Sequence, residues 1–187
     1  MGKAKSIVLV VMIVLLIGGF YFYISNFKES NKETVVTEVQ DVLLRNLDTN
    51  YPPTPRELLK YYSDVIKCAY NEKYTSEQFE QMADKLLELY DSELAENNPR
   101  DQYIKELQKA VEEFHNSGFS IVSYTTSSST DVNEYIDQGR QCASLYCTYS
   151  IKRGTDYVSS KQIFILRKDA ETGHWKILGF DIIEPQE

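Results

Sequence analysis

The sequence predicts an α+β domain carried behind a membrane-spanning helix. Residues Ser6 to Ile24 contain no charged side chain. Three consecutive segments then show helical apolar spacing, each behind a helix-start pattern. After Gly118 the apolar period changes from 3.6 to two, the mark of strands. Helices first and strands second is the order of an α+β layout, with helices laid on one face of an antiparallel sheet.

The apolar segment spans 19 residues, about 28 Å as a helix, close to the hydrocarbon thickness of a bilayer. Phe20 to Tyr23 stand at its far end, where tyrosine favours the water interface. Lys3 and Lys5 precede the segment; Lys28 and Lys32 follow it but are offset by Glu29 and Glu33. The positive-inside rule therefore expects residues 1–5 in the cytoplasm, 6–24 as an uncleaved anchor, 25–32 as a linker and 33–187 as an extracytoplasmic domain. A cleaved signal peptide is the competing reading, but the apolar run continues past the best small-residue site, Ile17-Gly18-Gly19. Met1-Gly2-Lys3-Ala4-Lys5-Ser6 fits a myristoylation pattern, which a spanning helix makes redundant.

The chain has 187 residues and a net charge of −8. All of its acidic residues follow the apolar segment. That balance argues against nucleic acid, whose phosphates draw on clustered Lys and Arg. It argues equally against docking onto an anionic lipid surface.

Val35, Val36, Val39, Val42, Leu43 and Leu47 have helical spacing, and the stretch from Asn46 to Pro55, with three prolines, ends that helix. Thr54-Pro55-Arg56-Glu57 starts the next one: Thr caps, Pro suits the first turn and Glu completes a capping box. Leu58, Tyr62, Val65, Ile66 and Ala69 are its stripe. Thr75-Ser76-Glu77-Gln78 starts another, with Phe79, Met82, Ala83, Leu86, Leu87 and Tyr90 inward. Asn98-Pro99-Arg100-Asp101 starts the last, with Tyr103, Ile104, Leu107, Val111 and Phe114, and Gly118 as its stop.

Phe119 to Thr125 alternates, setting Phe119, Ile121 and Ser123 against Ser120, Val122 and Tyr124. Ser127 to Gly139 reads as a polar loop. Ala143, Leu145, Cys147, Tyr149 and Ile151 share a strand face, Tyr157 to Lys168 forms a second strand, and His174 to Ile183 closes the sheet.

With the elements placed, the chain resembles the nuclear-transport-factor-2-like (cystatin-like) cone fold over residues 33–183. The resemblance rests on capped helices before long hairpins and on the ending Gly173-His174-Trp175-Lys176-Ile177-Leu178-Gly179. The anchored layout, with Asn50-Tyr51-Pro52-Pro53-Thr54-Pro55-Arg56-Glu57 and Ser144-Leu145-Tyr146-Cys147-Thr148-Tyr149, is also similar to an uncharacterised family of Gram-positive bacteria. This implies a fold and a cone-shaped pocket, and it implies no reaction, since enzymes, ligand binders and scaffolds share the cone.

Chemistry is sparse in the sequence. His115 and His174 are far apart and belong to no cluster with metal-ligand spacing. Asp131-Val132-Asn133 opens like a calcium loop, but Tyr135 and Ile136 stand where a ligand and a glycine belong. No Gly-x-Ser-x-Gly, phosphate loop or His-Glu-x-x-His occurs. Cys142 and Cys147, five residues apart on one strand, face opposite sides and cannot pair; Cys147 could meet Cys68, and the simplest reading leaves all three reduced. No cofactor and no metal is expected.

The sharpest site lies in the cone, with Tyr62, Tyr149, Tyr157, Trp175 and Asp181 as its expected lining. On strict alternation Asp181 shares the inner face with Trp175, Ile177 and Gly179, where it would serve as a base beside a Tyr donor. The expected role is nevertheless non-catalytic recognition or scaffolding with an envelope protein partner. A small apolar ligand in the cone is the alternative, and an enzyme in the same cavity is the third reading. A cavity of a few hundred Å3 with converging polar groups favours a ligand; a cone filled by side chains favours a scaffold.

Overall fold

The computed structural model describes residues 37–183. The anchor expected over 6–24, the linker over 25–32, and Val35 and Val36 lie outside the described residues. Among the described residues, no helix is long and apolar enough to cross a membrane.

The architecture is α+β, with helices packed on an antiparallel sheet. Helix α1 covers Glu38–Leu44, α2 Pro55–Asn71, α3 Ser76–Glu88, α4 Ser92–Glu96 and α5 Arg100–Asn116. The strands are β1 Phe119–Thr126, β2 Asn133–Asp137, β3 Arg140–Arg153, β4 Asp156–Lys168 and β5 Trp175–Ile183. Strand order is β1-β3-β4-β5, with β2 also paired to β3. β1 takes residues 147–153 of β3 and β2 takes 140–144, so these two short strands share one edge of β3 end to end.

Thr37 and Thr75 form capping boxes with Gln40 and Gln78. The Thr54 hydroxyl accepts from the Glu57 N–H, and Pro55 occupies the first helical turn. These caps satisfy amide donors that no helical carbonyl can reach. α5 has no side-chain cap, and Pro99 supplies its fixed φ instead. It stops at Ser117, where Gly118 takes φ 72°, the left-handed geometry that favours glycine.

The core lies between the helices and one face of the sheet. Ala143, Leu145, Cys147, Phe164, Leu166 and Ile177 are fully buried there, beneath Leu58, Leu59 and Val65 of α2 and Met82 and Leu86 of α3. The Leu89–Asp91 segment runs beside β5: the Ile177 N–H donates to the Leu89 carbonyl and the Asp91 N–H to the Ile177 carbonyl, each at 2.8 Å. That covers part of an otherwise open sheet edge. Tyr51 donates to the Trp175 carbonyl at 2.9 Å and stacks on His174, which ties the proline-rich loop to the start of β5.

Four sequence expectations need correction. The first described helix is shorter than Val35–Leu47, because Thr37 caps it and its last residue is Leu44. The stretch from Ser127 to Gly139 is not simply a loop; it contains β2, whose outer edge is solvated and which leaves no apolar alternation to read. Strict alternation fails on β1, where the pairing register shifts between Ile121 and Ser123. Ile121 and Tyr124 therefore face the same way, opposite Ile151 and Tyr149. It fails again on β5: Ile165 pairs with Gly179 but Leu166 with Ile177, so Leu178 bulges out. Beyond the bulge Phe180 and Ile182 turn to the inner face, and Asp181 turns away from it.

Candidate functional site: a neutral, tyrosine-floored cavity

A cavity of about 400 Å3 opens between α2, α5 and the inner face of the sheet. Five tyrosines, two phenylalanines and five aliphatic side chains line it, with Ser160 and Gln162. None of these fourteen lining residues carries a formal charge, and none is His or Cys.

Both bulges shape the cavity. The first keeps Ile121 in its wall; the second brings in Phe180 and Ile182. Phe180 is 44% exposed and Ile182 60%, so this side of the cavity is its mouth. The floor is different: Tyr62, Tyr90, Tyr103 and Tyr149 are all buried. Tyr62 and Tyr103 come from the inward stripes of α2 and α5. Tyr90 follows α3 and is positioned by its bridge to Ile177.

The hydroxyls of Tyr90 and Tyr103 lie 3.2 Å apart, and their rings pack edge to face at 5.7 Å. Tyr149 donates to Ser63 at 3.0 Å, and Ser63 lies 3.3 Å from the Cys147 sulfur. Burial is the main reason that all four phenols are pushed up in pKa, Tyr62 and Tyr149 well above the ordinary range. They remain neutral hydrogen-bonding groups wherever the protein is folded.

Of the five residues expected from sequence, Tyr62 and Tyr149 line this cavity. Tyr157, 62% exposed at the β3–β4 hairpin, pairs with Lys152 on the outer face. Trp175 is buried but lines a separate cleft of about 340 Å3 with Thr54, Pro55, Arg56 and Lys168. Asp181 is exposed on the outer face opposite Ile163. The proposed acid–base pair is thus not brought together: the bulge at Leu178 sends the carboxylate to solvent. Tyr61, next to Tyr62 on α2, donates to the Val42 carbonyl at 2.8 Å and does not line this cavity.

Tyr90, Tyr103, Leu107, Phe114 and Ile66 line the cavity without having been singled out as a site. Their helical stripes were visible as core, and nothing in a stripe distinguishes packing against a neighbour from facing a void. His115 bonds the Tyr70 carbonyl at 2.6 Å, and no group of His, Cys and carboxylates able to hold a metal occurs among the described residues.

The model of a family described as a domain of unknown function (DUF6715) matches residues 1–180. No curated protein matches the chain. Among solved structures, the crystal structure of the intermembrane space region of chloroplast protein ARC6 is 12% identical, with 72% of this chain and 97% of that one covered and a TM-score of 0.37. A likeness that slight carries no argument about fold or function.

Proposed function

We propose that this chain, which belongs to the DUF6715 family, binds a small, mainly apolar ligand without turning it over. The observation that carries the reading is the cavity of about 400 Å3, walled by apolar and aromatic side chains with a few hydroxyls converging on its floor. That is the composition of ligand pockets, whereas a scaffold has no need to keep such a space unfilled. Proton transfer calls for a group of suitable pKa within reach, and neutral phenols with raised pKa are poor bases. Asp181, the one carboxylate suggested for that work, is solvated elsewhere.

In the same proposal residues 6–24 anchor the chain in the cell membrane, N-terminus inside, and display a nuclear-transport-factor-2-like cone on the outer surface. The apolar run and the lysines before it support that placement. An envelope protein partner belongs to the reading as the donor or acceptor of the ligand.

The test is a thermal melt of the full chain in phosphatidylcholine nanodiscs, followed by fluorescence of its single tryptophan, Trp175. The neutral apolar probe biphenyl raises the midpoint, because a ligand bound only by the folded state stabilises it. Ser160→Phe, which places a ring in the cavity, abolishes that rise, and Asp181→Asn leaves it unchanged. A midpoint that the probe does not move, or moves equally in Ser160→Phe, overturns the reading.

A further inference from the structure

We infer that the cavity takes an uncharged ligand head first, with a hydrogen-bond-accepting group against Tyr62, Tyr90 and Tyr103 and an apolar body toward Phe180 and Ile182. The inference rests on the ligand-binding reading and names the class of molecule.

The polarity of the cavity runs from floor to mouth. Its buried floor carries phenol hydroxyls, and its half-exposed rim carries Phe180 and Ile182. A ligand with its polar head at the mouth would meet Phe180 and Ile182, with Gln162 opposite Ile182, and would leave the buried floor hydroxyls facing hydrocarbon. The reverse orientation satisfies both ends.

Counting protons gives the head its character. Tyr62, Tyr90 and Tyr103 bring three O–H donors. Tyr90 and Tyr103 share one hydrogen bond, which uses one of the three. At least one O–H is left to donate, and a ketone, ester, ether or amide oxygen accepts it. An unpaired buried donor is costly, so the match discriminates.

Charge is the second restriction. A carboxylate or ammonium brought here loses its hydration, and no lining residue carries the opposite charge. Tyrosine rings could hold a cation by their faces. Here the rings pack on one another instead of framing an open cage: Tyr90 packs edge to face with Tyr103, Tyr62 does so with Phe164 at 5.4 Å, and Phe164 stacks with Phe180 at 5.3 Å. Size is the third restriction. At roughly 30 Å3 for each small group, the share of a liquid water, the cavity holds on the order of a dozen non-hydrogen atoms.

Four probes of one body and different heads test this: methyl 4-phenylbutyrate, 4-phenylbutyrate, 4-phenylbutyltrimethylammonium and butylbenzene. Each is brought to the same free concentration by dialysis against the full chain in nanodiscs, with Ser160→Phe as background. The ester gives the largest midpoint rise and binds about tenfold tighter than butylbenzene, and both charged probes bind more weakly than butylbenzene. The triple variant Tyr62→Phe, Tyr90→Phe, Tyr103→Phe, which removes all three floor hydroxyls, reduces the ester to the level of butylbenzene without weakening butylbenzene itself. Tighter binding of either ion, or an ester preference that survives the triple variant, overturns the inference while leaving the cavity a ligand site. Failure of all four probes together with biphenyl overturns the binding reading as well.

Discussion

Asp91 is one of two buried polar or charged residues, with Ser63, among the described residues, and its partner Arg167 comes from β4. The guanidinium donates from Nε to Asp91 Oδ2 at 3.0 Å and from its other arm to Oδ1, and it also meets Glu93. The carboxylate accepts in addition from the Glu93 N–H. Burial alone would raise the Asp91 pKa; the bonds from Arg167 and the Glu93 amide outweigh it and hold the carboxyl below the ordinary 3.8. A depressed folded pKa means that the folded state binds fewer protons than the unfolded one. The stabilisation is therefore present above about pH 4 and is lost as pH falls through the folded value. Asp91→Asn removes the charge at nearly constant shape and leaves a mostly buried guanidinium with only Glu93. Breaking one side of such a pair costs about 3 kcal/mol, which lowers the thermal midpoint at pH 7 by about 6–12 °C. Melts of wild type and variant at pH 7 and pH 3 check this, and the gap between them narrows at pH 3. Nothing in the sequence marked Asp91, since its partner lies 76 residues away and neither residue belongs to a motif.

At the level of elements, the capped helices and the long β3–β4 hairpin were legible because each carries its signal locally. Thr54 with Pro55, and Thr75 with Gln78, are cap chemistry written in consecutive residues. What was not legible depends on pairing across strands. The bulges at Val122 and Leu178 are defined by what stands opposite, and a strictly alternating reading moves every later side chain to the wrong face. This is why Tyr62 and Tyr149 were found, and why Asp181 was placed inside and Phe180 was overlooked. β2 escaped for another reason. It turns into β3 through Gln138 and Gly139, both at positive φ (48° and 77°), and Gln-Gly lacks the Asn-Gly or Asp-Gly signature of such turns. Gln pays a steric penalty there that Asn largely avoids. Gln138→Asn accordingly stabilises the fold by about 0.5 kcal/mol, a rise of 1–2 °C in the midpoint. A fall in the melt of Gln138→Asn would show that the glutamine side chain contributes something its backbone geometry does not explain.

For the whole molecule, the three cysteines connect the fold to the proposed location. Cys68, Cys142 and Cys147 are free and buried, at 2%, 1% and 0% exposure. Desolvation pushes the Cys68 thiol up to about 12, and it raises Cys147 against the opposing effect of the Ser63 hydroxyl beside it. Because the thiolate is the reactive form, lack of access protects all three groups, and suppressed ionisation adds to it at Cys68 and Cys147. An outer-surface domain meets oxidants that a cytoplasmic one does not, and burial of this kind lets reduced thiols persist there. Introducing one exposed cysteine as Glu106→Cys on α5 makes the two statements separable. In intact cells at pH 8, a membrane-impermeant maleimide adds one label to this variant and none to the parent chain. After denaturation in guanidinium chloride the variant takes four labels. No label before lysis and one after it would put the domain on the cytoplasmic side and overturn the proposed topology. Two labels after denaturation, rather than four, would mean that two of the native cysteines are bridged.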